Sequence, residues 1–569
     1  MPIRPRLVLL LLLIALVSVP GIPRKPAVAE PLPGPIRFIP ENPDSWTKVD
    51  ARFAPKPDVC PARQPGNLHA GYPGIVEVGR RADGRLYIVT ELSFPRYLKG
   101  IAEVPRDWPI DALKAQVVAA RTYAMSHLDP STEIARELRY NLCATDACQV
   151  YRGLIVERGA WGDRWQTAVN ETGGEILVHR GEPAQTFYYS TSNGQTYSNT
   201  DAFGGSPIPY LKPVQEADDR ASPYTNWSVR MPLNDLTETL KRSGDWNGPG
   251  IEDVRIEAES VHLAGGGQNG ALTIQKFRGS LNAHAVCLTP KRYPTPSSTG
   301  RPLPQVLPSK WFGVRREGTD AIFEGRGWGH GVGMVQWGLK AKAEKGMSYA
   351  DMLAFYYGGL RPTRREEPGT IRIGLAVDVE ELMIERHGDV KVEGGSLPRG
   401  PLRLRGGATL DVTRAGPIEP QLRLEKVAAP PTVSPEAAAA FTFELSGPAN
   451  VRLRYEGAGA KGESGIEPRD RGAQSLPWSV AGLPPGDYSV TVVANDGVDE
   501  VAAGPLAVTV AAPPSPSPSP TVSPSPSPSP SPRASGPVSA MRLLLAVGAL
   551  VGLTMLGTMA LFLGRRRRA

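Results

Sequence analysis

The sequence predicts an α+β chain. A mixed domain with a long buried helix and a substrate groove comes first, then a small all-β sandwich, a disordered Ser-Pro stalk and one transmembrane helix. Three observations predict this. The run Pro109–Ala124 is rich in Ala and Leu, and Ile110, Leu113, Val117, Ala120 and Ala124 recur at helical spacing. Ala112, Ala115, Val118 and Ala119 make the remaining faces nearly apolar, which marks a helix buried on most sides. Between 431 and 511, Val451, Leu453 and Tyr455 alternate, as do Tyr488, Val490 and Val492, with Pro/Gly turns between the runs. That pattern predicts an Ig-like or fibronectin-like sandwich. Leu543–Leu563 is apolar apart from two threonines and is followed by Arg565–Arg568.

From the N-terminus, Arg4 and Arg6 precede an apolar run from Leu7 to Val19 and then Ala27-Val-Ala29, the layout of a secretory signal over residues 1–29. Residues 30–74 are rich in Pro and polar residues and read as a linker. Val76, Val78, Leu86, Ile88 and Thr90 alternate around Ala82-Asp-Gly84, a hairpin signal. In the long helix, Pro109 suits the first position and Asp111 meets the positive end of the dipole. Arg121 on that helix needs an anion, and Glu103 in the preceding loop is a candidate. The two residues form a structural ion pair, or Glu103 is free for chemistry.

Residues 130–165 are loop-rich and carry Cys143 and Cys148. An exported chain with four cysteines points to disulfides, a local bridge plus a long-range one between Cys60 and Cys287 being the simplest pairing. A closed zinc site needs four ligands, and only His127 is near in sequence, so the bridge is favoured over zinc and no cofactor is expected. Ala168–Val178 and Thr186–Ser192 read as strands. Period two puts Tyr188, Ser190 and Ser192 on one face, before a turn at Asn193-Gly194. Residues 215–320 read as an insertion of hairpins and loops.

In Gly325-Arg-Gly-Trp-Gly-His-Gly-Val-Gly-Met334, glycine occupies every second position. An extended chain here would bare one face and gather Arg326, Trp328 and His330 on the other, a set suited to stacking on and hydrogen-bonding a sugar polymer. It is not a phosphate loop, because no Gly-Lys-Ser/Thr follows. Helices are expected from about Val335 to Glu344 and from Ser348, with Asp351 as a capping partner, to Gly358-Gly359. Residues 366–430 read as a short β extension. The stalk spans 512–540; its Ser-Pro repeat, residues 513–537, would extend roughly 75 Å at about 3.1 Å per residue. The segment 543–563 is long enough to cross a bilayer about 30 Å thick. The arginine tail, 564–569, places the C-terminus inside and the main domains outside, in the wall. Net charge is +7, but basic runs are confined to the ends, which argues against nucleic-acid binding.

Tyr97–Ala124, Cys148-Gln-Val-Tyr151, Ala168–Gly174, Tyr188–Thr196, Pro209-Tyr-Leu211, Gly327–Gln336 and Tyr356-Tyr-Gly358 together resemble the SpoIID/LytB family of sporulation-related bacterial cell-wall proteins, in the family order, over residues 75–365. The resemblance implies a lytic transglycosylase acting on peptidoglycan glycan strands, with Glu103 as acid and base. It further implies substrate contacts at Arg121, Gln149, Ser190, Ser192, Arg326, Trp328, His330 and Gln336, and a cell-wall amidase as a partner. Zinc-binding members use cysteines and histidines around Cys143–Cys148, where this chain has Ala147 before Cys148. One carboxyl suffices for a transglycosylase, whereas hydrolytic glycosidases use two. Two other readings compete: a non-catalytic wall-binding or amidase-activating module, and an adhesin working through residues 431–511. Glu103 facing a groove favours the enzyme; Glu103 buried against Arg121 favours the module.

Overall fold

Alternating apolar residues in the predicted hairpin form two antiparallel strands, Ile75–Arg80 and Leu86–Ser93, with Val76, Val78, Leu86 and Ile88 fully buried. In this computed structural model, which describes residues 34–512 apart from 57–59, 298, 299, 301 and 436–438, they lie inside a ten-stranded sheet. The signal segment, most of the stalk, the span and the arginine tail lie outside the described residues. Among the described residues no helix is long and apolar enough to cross a membrane.

The sheet corrects two boundaries. Residues 30–74 are not a linker: Ile36–Pro40, Trp46–Phe53 and Leu68–Tyr72 are strands of the main sheet. Their prolines and glycines mask the pattern, yet Ile36, Phe38, Val49, Ala51, Ala70 and Tyr72 are all buried. Nor is 366–430 an extension. Thr370–His387 is an 18-residue strand lying between Leu86–Ser93 and Trp46–Phe53, so the sheet is completed from both sides of 75–365. Leu402–Arg405 and Asp411–Arg414 extend it.

The long helix, Ile110–Ser126, begins one residue later than expected, with Pro109 as its cap residue. It packs against the helices Gly162–Glu171, Gln336–Glu344 and Tyr349–Tyr356 and the strand Glu175–His179. Ala112, Ala115, Ala119 and Ala120 are buried, so neighbours approach its backbone closely on several sides. Asp111 accepts the Tyr349 backbone N–H at 3.1 Å. The expected strand Ala168–Val178 is instead the end of one helix followed by Glu175–His179; the amphipathic spacing of Trp165, Ala168 and Val169 is helical.

Residues 226–326 have a core of their own, with Trp227, Met231, Leu236, Phe277, Leu281 and Phe323 buried together. Helices Leu233–Arg242 and Ile274–Leu288 pack on two three-stranded sheets. A Cys60–Cys287 disulfide ties this unit to the N-terminal segment. From Leu424 onward, a three-stranded and a six-stranded sheet close on one core that includes Phe441, Leu453, Trp478 and Val490.

Candidate functional site

The loop carrying Glu103 follows the short helix Phe94–Lys99, which ends at Gly100. A side chain at Gly100 would meet the Tyr151 ring at 2.3 Å, so the turn can press directly on the chain after Cys148. Ala102 N–H donates to Val150 O at 2.8 Å, and Val150 N–H donates back to Glu103 Oε1 at 2.7 Å. Gln336, at the start of its helix, donates to Glu103 O at 3.2 Å. Both the backbone and the carboxyl of Glu103 are therefore held.

Glu103 opens onto a cleft of about 610 Å³, shared with Tyr188, Ser190, Trp328, His330 and Gln336. Burial pushes the Glu103 pKa up to about 7; hydrogen bonds from Val150 N–H and the Tyr188 hydroxyl oppose the shift, and the Asp146 charge adds to it. Tyr188 is oriented in turn. Gln149 accepts from Tyr97 OH at 2.7 Å and donates to the Tyr188 hydroxyl oxygen at 3.0 Å, which leaves the Tyr188 proton to be given to Glu103. Gln149 is fully buried, so it positions Tyr188 and does not meet a ligand.

The glycine run does not extend. Gly327, Gly329, Gly331 and Gly333 all have positive φ, so the chain coils through them. A Cβ at Gly327 would sit 2.6 Å from Thr191 O, and one at Gly333 would sit 2.2 Å from Phe187 O. This coiling separates the three side chains expected on one face. Trp328 and His330 reach the cleft. Arg326 is exposed beside a different hollow, lined by Asn226, Trp227 and Pro296. His330 lacks a free nitrogen: Nε2 donates to Tyr188 O at 3.0 Å and Nδ1 accepts from Val332 N–H at 3.1 Å. Burial lowers its pKa to about 4, so the ring is neutral.

Two further expectations are corrected. Arg121 is 1% exposed and pairs with Glu367 at 2.6 Å, while donating to Val169 O, Thr172 Oγ1 and Glu175 O. It lies on the opposite side of the helix from the cleft lining and is structural, because a carboxylate from residue 367 answers its charge. Ser192 is buried with its hydroxyl accepting from Gly194 N–H, while its neighbour-but-one Ser190 lines the cleft. The Tyr188–Tyr189 strand is only two residues long, so period two fails before Ser192. Cys143 and Cys148 are bonded to each other. So bonded, their sulfurs offer no thiolates to a metal.

Sequence reasoning missed the second wall. Gln275 and Arg278, on the helix Ile274–Leu288, and Gln305 and Lys310 face the cleft from the 215–320 insertion. It also missed Phe203. The signal was present: an aromatic residue ends Asn199–Phe203 and is followed by Gly204-Gly205, with no apolar period to bury it.

One buried carboxyl, held by two donors and open to a groove with indole and phenol side chains, defines an α+β protein with a site built to hold a single proton near neutrality. A family model described as SpoIID, Stage II sporulation protein, matches residues 82–179, the hairpin through the strand Glu175–His179. Stage II sporulation protein D of Bacillus amyloliquefaciens is 30% identical over 284 residues, covering 48% of this chain and 74% of that one. The protein of the same name from Bacillus subtilis is 29% identical over 282 residues, with 48% and 74% covered. The amidase enhancer of Bacillus subtilis is 28% identical over 299 residues, which span 46% of this chain but only 39% of the enhancer. The chain belongs to the SpoIID/LytB family and carries its cell-wall-related module.

Proposed function

We propose that this protein is a membrane-anchored lytic transglycosylase that cleaves peptidoglycan glycan strands outside the cell. The carrying observation is Glu103: it faces an open cleft, lacks a cationic partner and has a pKa of about 7. Such a carboxyl is protonated often enough to act as acid and ionised often enough to act as base. Glu103 gives its proton to the glycosidic oxygen as the bond to C1 breaks. The muramic C6 hydroxyl then attacks C1, and its proton returns to Glu103, closing a 1,6-anhydro ring without water. Tyr188, donating to the carboxylate, steadies the ionised form between the two transfers. Trp328 offers a ring face for the sugar, and Ser190 a hydroxyl. The anchored, external location rests on the terminal sequence segments.

The test is digestion of purified glycan strands with the full-length chain, followed by mass spectrometry. The wild type should release 1,6-anhydro ends and Glu103→Gln none, while still binding glycan. Reducing ends in place of anhydro ends, or normal turnover by Glu103→Gln, would sink the assignment. A second reading, activation of a cell-wall amidase, is favoured by the likeness to the amidase enhancer. It predicts faster amidase turnover on adding Glu103→Gln protein.

A further inference from the structure

We propose that Phe203 is a sugar-stacking platform forming a second glycan subsite at the rim of the cleft; this deepens the reading above and rests on glycan being the ligand. Phe203 is 53% exposed, one of three large apolar side chains so exposed among the described residues, and it lines the same cleft as Glu103. An exposed phenyl in a cleft that also holds the Trp328 and Tyr188 rings suits a ligand that presents apolar faces of about one ring each.

The ring is fixed from behind. Phe187 lies 5.3 Å from it and His330 5.2 Å, centroid to centroid, both tilted. This gives His330 a use that its chemistry does not: with both nitrogens engaged and the ring neutral, it is a flat support between Phe203 and Tyr189. The helix beneath Phe203 is pinned at its start by a reciprocal Ser198–Asp201 capping box. It is pinned again by Lys310 Nζ, which donates to Asp201 O at 3.0 Å. The platform is thereby hydrogen-bonded to the insertion that supplies the second wall.

The surroundings select the ligand class. Gln275, Gln305, Lys310 and Arg278 share the cleft with Phe203. Arg278 gives its guanidinium hydrogen bonds to the neutral acceptors Leu307 O, Gln305 and Pro308 O. Aromatic rings beside amides and cations fit a pyranose, whose C–H face stacks while its equatorial amide and hydroxyl groups hydrogen-bond around the rim. An apolar protein partner would need a contiguous patch of several hundred Å². Phe203 lies in the same cleft as Trp328, so a glycan strand lying over Glu103 would meet an aromatic face at each.

The experiment uses the full-length chain carrying Glu103→Gln, so that bound glycan is not consumed, and a soluble hexasaccharide of alternating N-acetylglucosamine and N-acetylmuramic acid. Calorimetric titration should show Phe203→Ala weakening binding about tenfold, by the usual size of an aromatic stacking loss. Phe203→Leu, which keeps bulk without a flat face, should weaken it similarly, and Phe203→Trp should restore it. The melting temperature should change little across the three, because about half of the side chain is in solvent and it belongs to none of the buried cores. Binding equal to the parent in Phe203→Ala, or a Phe203→Trp protein as weak as Phe203→Ala, overturns the subsite. Phe203-dependent binding without anhydro products from the wild type supports the subsite and sinks the enzyme reading. Normal turnover with Phe203-independent binding does the reverse.

Discussion

Two buried carboxyls in this chain are driven in opposite directions. Asp499, in the two-sheet C-terminal unit, is 2% exposed and meets Lys48 Nζ at 2.6 Å and His69 Nε2 at 3.1 Å, both from the main sheet. Burial would raise its pKa, but the hydrogen bonds from His69 and Lys48 outweigh that and hold it well below the usual carboxylate range. Glu103 has two neutral donors and no cation, so burial wins and its pKa rises to about 7. Arg121, the cation on the long helix, is taken by Glu367. Charge neutralisation makes a joint between units; withholding it keeps a transferable proton.

The largest effect should come from breaking the joint. In Asp499→Ala, Lys48 keeps its charge inside without a carboxylate, His69 is left with Asp50 alone, and Gln421 and Leu422 N–H lose their acceptor. Removing one partner of a buried ion pair costs about 3–5 kcal/mol, measurable by denaturant unfolding at neutral pH. His69 adds a pH signature. Burial lowers its pKa, but bonds to Asp499 and Asp50 raise it to about 9. Its contribution is complete below its unfolded value and is lost as pH rises through about 9. Wild-type stability should therefore fall on the alkaline side, and in Asp499→Ala that fall should be smaller and begin at lower pH, since only Asp50 still raises His69.

Glu103 should show the same pH sign but the opposite effect of substitution. Its folded pKa lies above the unfolded value, so the folded chain binds more protons between the two and loses stability as pH rises through about 7. Above that the ionised carboxylate carries a full penalty, which Gln avoids. Glu103→Gln should unfold about 2–3 kcal/mol less easily than wild type at alkaline pH, and with no difference at about pH 4. Equal stability at both pH values would show that Glu103 is solvated like a surface acid.

The sequence carried the helix and the hairpin well, because each is a local pattern: apolar spacing, and alternation around Asp-Gly. It failed where partners lie far along the chain. Arg121's anion proved to be Glu367 rather than the nearer Glu103. Nothing local marks Ile36–Pro40 as a sheet strand, since its neighbours are Ile75–Arg80 and Val390–Glu393. The glycine run misled because alternation was taken for an extended chain, while four positive φ values coil it and send Arg326 away from Trp328. Gln149 looked like a ligand contact because it is polar within a motif; only burial reveals it as a support for Tyr188.

A smaller effect tests what keeps Glu103 in place. The Cys143–Cys148 disulfide closes the loop just before Gln149 and Val150, the residues that orient Tyr188 and hold the carboxyl. Closing so short a loop stabilises by about 2 kcal/mol in the chain-entropy account. Cys143→Ser with Cys148→Ser should lose that much in unfolding experiments. It should also lower the Glu103→Gln stability gain at alkaline pH, because a looser loop admits water to the carboxyl. An unchanged gain would mean that Ala102 and Gln336 hold the site without the bridge.

The smallest effect concerns Asp146, exposed on that same loop and the one negative charge named among the causes that lift Glu103. It is the reverse of Lys48 at the joint: a like charge where the joint has an opposite one. Asp146→Asn should lower the Glu103 pKa by a few tenths of a unit, and Asp146→Lys by more, since a cation then favours the carboxylate. The readout is the alkaline limb of kcat/KM, which should move to lower pH in the order wild type, Asn, Lys; a 13C-labelled Glu103 carboxyl titrated by NMR reports the same shift without turnover. Because Asp146 faces solvent, the shift should shrink in about 1 M salt, where the screening length is about 3 Å. A shift that survives high salt would mean that the substitution moved the loop and not the field. The rise at Glu103 would then rest on burial alone, with no cation to oppose it as at Asp499.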